Sequence, residues 1–145
     1  EKSNFDFFSG AAIYNYFLKN SFYYYPKNIK KIYYANTFAH MAVFIKRDVK
    51  DKLGLYDESL LMVMDYDLWF RAFKFKSKFE YSNNIFVKLM KAGQSSKIKL
   101  VIVDFINCKK KHFKMINSYV EKLKVILSLY IIIIKVVFYG FKNNL

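Results

Sequence analysis

Apolar and polar residues alternate in short blocks over the first two thirds of the chain and then give way to long aliphatic runs. The blocks at residues 5–8 and 22–25 stop at chain-breaking residues, Gly10 and Pro26, and predict two short strands. Residues 36–45 are apolar on both faces, which predicts a central strand covered on both sides.

Two helices are predicted between these blocks and a further strand at residues 85–89. Residues 46–53 form a short polar helix closed by Gly54, because glycine adopts the left-handed conformation of a helix C-cap without strain. Residues 65–75 predict the second helix. Strands interleaved with helices indicate an α/β fold for residues 1–96, where residues 93–96 end the compact part.

Residues 97–145 predict a helical tail. Its polar positions recur at helical spacing and lie within roughly 60° of one another on a wheel of 100° per residue; they are Asn117, Glu121, Lys124, Ser128, Lys135 and Lys142. The apolar run at residues 125–141 covers about 25 Å, slightly less than a hydrocarbon core of about 30 Å. We therefore expect a helix that lies in a membrane interface rather than spanning it; the alternative is a helix packed on the domain or in an oligomer.

The charge distribution supports that expectation. The chain carries 25 Lys and Arg against 11 Asp and Glu, a formal net charge of +14, and residues 96–145 hold 10 basic and 2 acidic residues. Lysines beside long aliphatic runs favour an anionic membrane surface as the partner. Nucleic-acid binding is a weaker alternative, since no known module pattern appears, and we expect no nucleic acid as a partner.

The termini and the cysteine content indicate a location. Residues 1–8 lack the basic start and apolar region of a signal peptide, so we expect none, and we expect the chain to be a piece of a longer protein. The single cysteine, Cys108, cannot form an internal disulfide, which fits a reducing compartment. The predicted location is cytoplasmic, peripheral on the inner face of the cell membrane.

Four of the eleven carboxylates lie close together in the chain, at Asp57, Glu58, Asp65 and Asp67. Asp65 stands where a helix N-cap is expected and Asp67 lies in the first turn. Capping and complementation of the helix dipole would explain both residues without any catalytic role.

Several sequence blocks occur in an order and at intervals that resemble a known enzyme family. They are His40 with residues 44–47, residues 53–58, residues 65–71 (Asp-Tyr-Asp-Leu-Trp-Phe-Arg) and residues 93–96 (Gly-Gln-Ser-Ser). Over roughly residues 5–96 the chain resembles the second half of a family 2 glycosyltransferase of the GT-A type. The resemblance implies a partial GT-A, Rossmann-like domain and transfer of a sugar from a nucleotide-sugar donor to a cell-surface glycan or lipid-linked acceptor.

The resemblance also implies a catalytic residue. The family's Glu-Asp block maps onto Met64 and Asp65, so Asp65 takes the place of the general base in inverting transfer, while Met64 departs from the usual Glu. A sugar hydroxyl is a poor nucleophile until a positioned carboxylate accepts its proton, which is the chemistry that this position requires.

Four further residues are candidates for substrate binding: His40, Asp67, Trp69 and Arg71. Each has a structural alternative. A lone histidine on an apolar strand is more often a satisfied core residue, which is the alternative for His40, and core packing is favoured for Trp69 over stacking on a sugar. Asp67 and Arg71 are spaced i, i+4 and are expected to pair, although Arg71 is also long enough to reach donor phosphates.

The nucleotide-binding half of the family has no counterpart in the chain. No Gly-rich loop or Asp-x-Asp motif precedes residue 5, and Asp65-Tyr66-Asp67 lies at a helix start, so we do not assign it to metal binding. The resemblance implies a divalent cation, Mg²⁺ or Mn²⁺, whose main ligands are absent here. The function expected is that of an acceptor-side fragment of a glycosyltransferase; the alternative is an inactive remnant that acts as a membrane-associated interaction module.

Overall fold

The structure is a computed structural model that describes residues 4–16, 20–89 and 98–142. The strands are β1 (Phe7–Tyr16), β2 (Asn20–Tyr24), β3 (Val43–Ile45) and β4 (Phe79–Leu89). The α-helices are α1 (Arg47–Leu53), α2 (Met64–Lys74), α3 (Ile98–Lys114) and α4 (Tyr119–Lys142), and two 3₁₀ turns cover Ile29–Tyr33 and His40–Ala42. The prediction of a mixed α/β fold is confirmed.

β1 is the central strand of one mixed sheet. It runs antiparallel to β3 through its first residues and antiparallel to β2 through its last ones, and parallel to β4. Phe7 therefore has Ile45 on one side and Phe79 on the other. The chain reaches β4 from β1 through α1 and α2, which places α2 against the sheet: Trp69 packs edge-on to Phe7 at 5.7 Å between ring centroids.

The first predicted strand was too short, because the chain does not turn at Gly10. β1 passes through Gly10, and the ring of Phe86 on β4 occupies the space that a Cβ would fill there. Gly10 is thus required for close approach of an aromatic ring and not for a turn. β4 is likewise longer than the predicted residues 85–89, and residues 93–96 lie outside the described part of the chain.

The predicted central strand at residues 36–45 is wrong over most of its length, since only Val43–Ile45 is a strand. The preceding residues form turns: the Lys27 amide donates to the Thr37 carbonyl at 2.8 Å, and the Phe38 amide donates to the Asn36 side chain at 3.3 Å. Local side-chain bonds of this kind compete with strand ladders. His40 consequently leaves the sheet and lies in a 3₁₀ turn.

The two predicted helices of the compact part are confirmed within one residue at each end. Gly54 has φ of +80°, as expected of a C-cap. The N-cap of α2 is Val63, however, and Asp65 is the second helical residue, where its carboxylate accepts from the Tyr66 amide at 2.8 Å. The capping role expected for Asp65 is therefore replaced by first-turn hydrogen bonding.

The tail consists of two helices, and both contribute to the main core. Cys108 on α3, Ile116 between the helices and Val125 on α4 are all buried in the same cluster as α2. Asp104 on α3 also accepts the Met62 amide at 2.6 Å. Both helices are therefore packed onto the rest of the chain through these residues, as the alternative interpretation of the tail expected. No helix within the described ranges is both long and apolar enough to cross a membrane.

Candidate functional site

Asp65 lies at the solvent-facing end of α2. Its side chain is 17% exposed and is therefore partly accessible to solvent. Oδ1 accepts from the Tyr66 amide, and a further hydrogen bond comes from the Asn36 side chain. The first turn of a helix thus gives this carboxylate a fixed direction.

The surroundings of Asp65 shift its protonation equilibrium toward the neutral carboxyl, compared with an aspartate in water. Burial raises the pKa of Asp65, and the raising effect exceeds the lowering effects of the Tyr66 hydrogen bond, His40 and Asn36. A carboxylate whose pKa is raised accepts protons more readily near neutral pH. This is the electrostatic property that a general base needs.

Two tyrosines that the sequence had not singled out feel the charge of Asp65. Tyr24 on β2 donates from its hydroxyl to the Asn36 carbonyl at 2.8 Å, and burial, Tyr14 and the charge of Asp65 together raise the pKa of Tyr24 to about 12. Burial and Asp65 also raise the pKa of Tyr56. Both hydroxyls therefore stay neutral at physiological pH, and that of Tyr24 already donates to the Asn36 carbonyl.

His40 is the one predicted substrate-binding residue that the structure brings beside Asp65. Its Nδ1 lies 3.7 Å from Asp65 Oδ2, and its side chain is 61% exposed. The core role considered for this histidine is therefore wrong, since a core residue would be shielded from water. An exposed imidazole next to a carboxylate is free to contact a ligand on its other edge.

Asp67 lies in the interior and is completely buried. It accepts from Arg71 Nε at 2.8 Å, is paired with His112 Nε2 at 2.8 Å, and has Lys111 Nζ at 3.5 Å. Burial works to raise the pKa of Asp67, but the His112 hydrogen bond and the charges of His112, Arg71 and Lys111 outweigh it, so the pKa is lowered. The structure thus gives Asp67 a structural position, away from any substrate.

Arg71 also serves the interior. Besides Asp67, its guanidinium donates to the backbone carbonyl of Leu53 and to that of Leu55 at 3.0 Å. The predicted i, i+4 pair with Asp67 is confirmed. With its donors bonded to the segment after α1, Arg71 fixes that loop, which carries Tyr56, instead of reaching for a phosphate.

Trp69 packs in the core, the first of its two expected roles. It is 1% exposed and is contacted edge-on by the rings of Phe7 and Phe38, at 5.7 and 5.9 Å between centroids. Neither face of the indole is available to a sugar in this arrangement. The substrate-binding assignment of Trp69 is therefore replaced by packing.

One group of side chains could hold a metal ion among the residues that the structure describes. Ligand atoms of Asp67, Cys108 and His112 lie within 4.8 Å of one another. Mg²⁺ and Mn²⁺ prefer several oxygen ligands, whereas this group offers one carboxylate, a thiol and an imidazole. Arg71 and Lys111 already neutralise the carboxylate. The group does not fit the cation that the resemblance implies.

No protein-family model matches the chain, and neither the curated proteins nor the solved structures give a match.

Proposed function

We propose that the chain forms the acceptor side of a glycosyltransferase, in which Asp65 is the general base that activates an acceptor hydroxyl. The observation that carries the proposal is the state of the Asp65 carboxylate: partly open to solvent, fixed at the start of α2, and with a raised pKa. The blocks that resemble family 2 glycosyltransferases support the same residue.

The neighbours of Asp65 fit an acceptor sugar. His40 offers a hydrogen-bonding group beside the carboxylate, Tyr24 and Tyr56 lie within its electrostatic influence, and a sugar presents several hydroxyls at once. His40 would orient the acceptor while Asp65 takes the proton of the attacking hydroxyl. The acceptor proposed is a cell-surface glycan or a lipid-linked glycan presented at the inner face of the cell membrane.

The donor is proposed to be a nucleotide-sugar bound largely by residues outside this chain. A divalent cation would accompany its diphosphate and stabilise charge on it, but the described side chains do not supply a suitable oxygen-rich site. Asp65 and its neighbours would therefore bind and orient the acceptor and remove its proton.

Transfer of labelled sugar tests the proposal directly. Membranes from cells that produce the protein would be incubated with a panel of nucleotide-sugars and Mg²⁺ or Mn²⁺, and label in lipid-linked glycan would be counted. Asp65→Asn should lower transfer by about 10² to 10⁴ with little change in acceptor affinity, because the amide keeps the size of the side chain and cannot accept a proton. Near-normal transfer by this variant would remove Asp65 from the mechanism.

His40→Gln provides a graded comparison in the same assay. An orienting role predicts weaker acceptor binding and a smaller loss of maximal rate than in Asp65→Asn. Phe75→Gln is a matched control, because Phe75 is 69% exposed and does not belong to the Asp65 site. It should leave transfer unchanged.

A membrane-associated interaction module without catalytic activity is the second candidate. The observation in its favour is the exposed apolar surface of α4, because binding to a membrane through this surface would not need an active site. Absence of transfer by the wild-type protein with every donor, together with retained membrane binding, would favour this candidate over the transferase.

A further inference from the structure

α4 exposes its apolar side and not its polar one. Along the part of the helix whose side chains are described, large apolar residues point away from the protein body with 41% to 75% of their surface exposed. We call this surface the outward face of α4, defined by Val120, Leu123, Leu127, Tyr130, Ile131 and Ile134. Monomeric proteins rarely leave such a continuous apolar stripe facing water.

The polar stripe of the same helix turns toward the protein. Ser128 is 1% exposed beside the buried Val125, and its hydroxyl donates back to the Val125 carbonyl at 2.7 Å. Glu121 pairs with Lys74 of α2 at 3.1 Å. These two polar groups of α4 are thus bonded within the protein, whereas nothing in the described part of the chain covers the outward face.

Two lysines border the outward face. At 100° per residue, Lys124 lies roughly 20° beyond the Ile131 edge of the face, and Lys122 lies roughly 80° beyond the Tyr130 edge, past the exposed Ile126 and Ile133. Their Nζ atoms lie over the rings of Phe113 and Tyr33, each 5.7 Å from the centroid. Lysines at the border of an apolar helix face are suited to reach lipid headgroups while their stems cover apolar surface.

We propose that the outward face of α4 inserts into one leaflet of an anionic bilayer, so that the helix lies between the lipid and the protein body. A helix of 24 residues is about 36 Å long, and such a helix inserts about 5 to 10 Å into the headgroup and acyl boundary. Insertion of this kind deepens the membrane location proposed above and does not depend on sugar transfer.

Charge favours lipid over a second copy of the chain. Each copy carries a net charge of +14, so two copies repel each other, whereas an anionic surface attracts both. The outward face also lacks charged side chains that would set the register of a protein partner, within the described part of α4. The fluid hydrocarbon of a bilayer does not need to be aligned with particular side chains of the helix.

Vesicle partitioning tests the proposal. Large vesicles of phosphatidylcholine, with and without phosphatidylglycerol, would be sedimented with the purified chain. The wild-type chain should bind the mixed vesicles, and Leu123→Gln/Leu127→Gln/Ile131→Gln should lower the partition coefficient by at least about 100-fold, since three inserted side chains are lost. Lys122→Gln and Lys124→Gln should each lower it by about fivefold in the mixed vesicles only.

The matched control is Leu55→Gln/Leu61→Gln, because both leucines are well exposed, at 83% and 69%, but lie away from α4. This variant should bind vesicles as the wild type does. Melting temperatures should agree with the wild type for the leucine and isoleucine variants, since every residue that these variants substitute is exposed to water.

Three results would overturn the proposal. One is equal partitioning of the triple variant and the wild type. A second is equal loss of partitioning in the Leu55/Leu61 control. The third is a wild-type dimer in sedimentation velocity that becomes monomeric in the triple variant while neither binds vesicles, which would make the face a self-interface. Asp65→Asn should partition normally, so failure of the transferase proposal leaves this test unaffected.

Discussion

Asp67 and His112 are separated by 45 residues in sequence, yet Asp67 Oδ1 and His112 Nε2 lie 2.8 Å apart in the interior. The pair joins α2 to α3, with Arg71 and Lys111 completing the charge balance around the carboxylate. The ring of His112 stacks on Phe70 at 4.1 Å between centroids, so the imidazole is held by packing as well as by the hydrogen bond. The network is one of the connections between the C-terminal helices and the rest of the chain, beside the shared hydrophobic core.

Asp67→Asn should lower the free energy of unfolding by about 3 to 5 kcal/mol, because it leaves cationic partners without their buried counter-charge. Urea denaturation at pH 7 measures the loss. A change below about 1 kcal/mol would mean that the network contributes little.

The dependence of the free energy of unfolding on pH provides a second measurement of the same network. Since the pKa of Asp67 is lowered in the folded state, its contribution to stability is present above the ordinary pKa of 3.8 and is lost as the pH falls below it. The wild type should therefore lose more stability than Asp67→Asn between pH 5 and the acid limit of folding.

Asp65→Asn, unlike Asp67→Asn, should not lower the stability of the folded chain at pH 7. Burial raises the pKa of Asp65, so the folded chain holds a proton more tightly than the unfolded chain, and stability decreases as the pH rises above 3.8. At pH 7 the neutral amide avoids the desolvation of a carboxylate, so the melting temperature should stay equal or rise. Thermal melts at pH 4 and pH 7 measure this, and the gain should be larger at pH 7. A clear loss of stability would support a structural role instead.

The Cys108 thiol should be unreactive in the folded chain. Burial and the Asp67 charge raise the pKa of Cys108 to about 12, from a usual value of 9.0. Each pKa unit lowers the thiolate fraction about tenfold, so modification by Ellman's reagent at pH 8 should be about 10³-fold slower than in the denatured chain. Comparable rates in native and denatured samples would show that the core around α3 opens readily.

Lys109 should make stability rise between pH 7 and pH 9. It is buried, donates to the Tyr33 carbonyl at 2.6 Å and to the Tyr66 hydroxyl at 3.2 Å, and burial lowers its pKa to about 8. Above pH 8 the folded state loses a proton that the unfolded lysine keeps, so unfolding becomes less favourable by about 1 kcal/mol up to pH 9.

Urea denaturation at both pH values, with Lys109→Met as the reference, isolates this contribution. The increase in the wild type should exceed that in the variant. Equal pH dependence in the two chains would contradict the buried charge.

Gly10→Ala should lower the free energy of unfolding by about 1 to 3 kcal/mol, because a Cβ at this position overlaps the ring of Phe86. That ring is stacked on Phe8 at 5.6 Å between centroids and would have to leave. Phe86→Ala provides the test of cause: once the ring is removed, Gly10→Ala should add little further loss. If the losses in free energy of unfolding of the two single variants add in the double variant, the cost of Gly10→Ala lies in β1 itself and not in the overlap with Phe86.

Local features of the sequence were sufficient for α1 and α2. Helical periodicity, the glycine at position 54 and the i, i+4 spacing of Asp67 and Arg71 act over one or two turns, so they can be recognised without the rest of the chain. The same holds for the mixed α/β class. Strand bounds were less accurate, because β1 and β4 extend through residues whose pairing partners lie far away in sequence.

The surroundings of Asp65 were decided by tertiary structure. Asp65 itself was identified from its sequence block, but Tyr24 and Asn36 reach it from β2 and the following loop, and Tyr56 from the loop after α1. No spacing in the sequence encodes those approaches. His40 was expected on a strand, and local hydrogen bonds of residues 36–38 placed it in an exposed turn instead.

The narrow polar stripe of α4 follows from residue type and a helical period of 3.6, so it can be recognised in the chain alone. Which side of the helix the protein covers depends on how α4 packs. Glu121 and Ser128 face inward, because Lys74 of α2 and the core around Val125 satisfy and enclose them, and the apolar side is left outward. Periodicity predicts which residues share a face of a helix, but residues far away in the sequence determine which face packs against the protein.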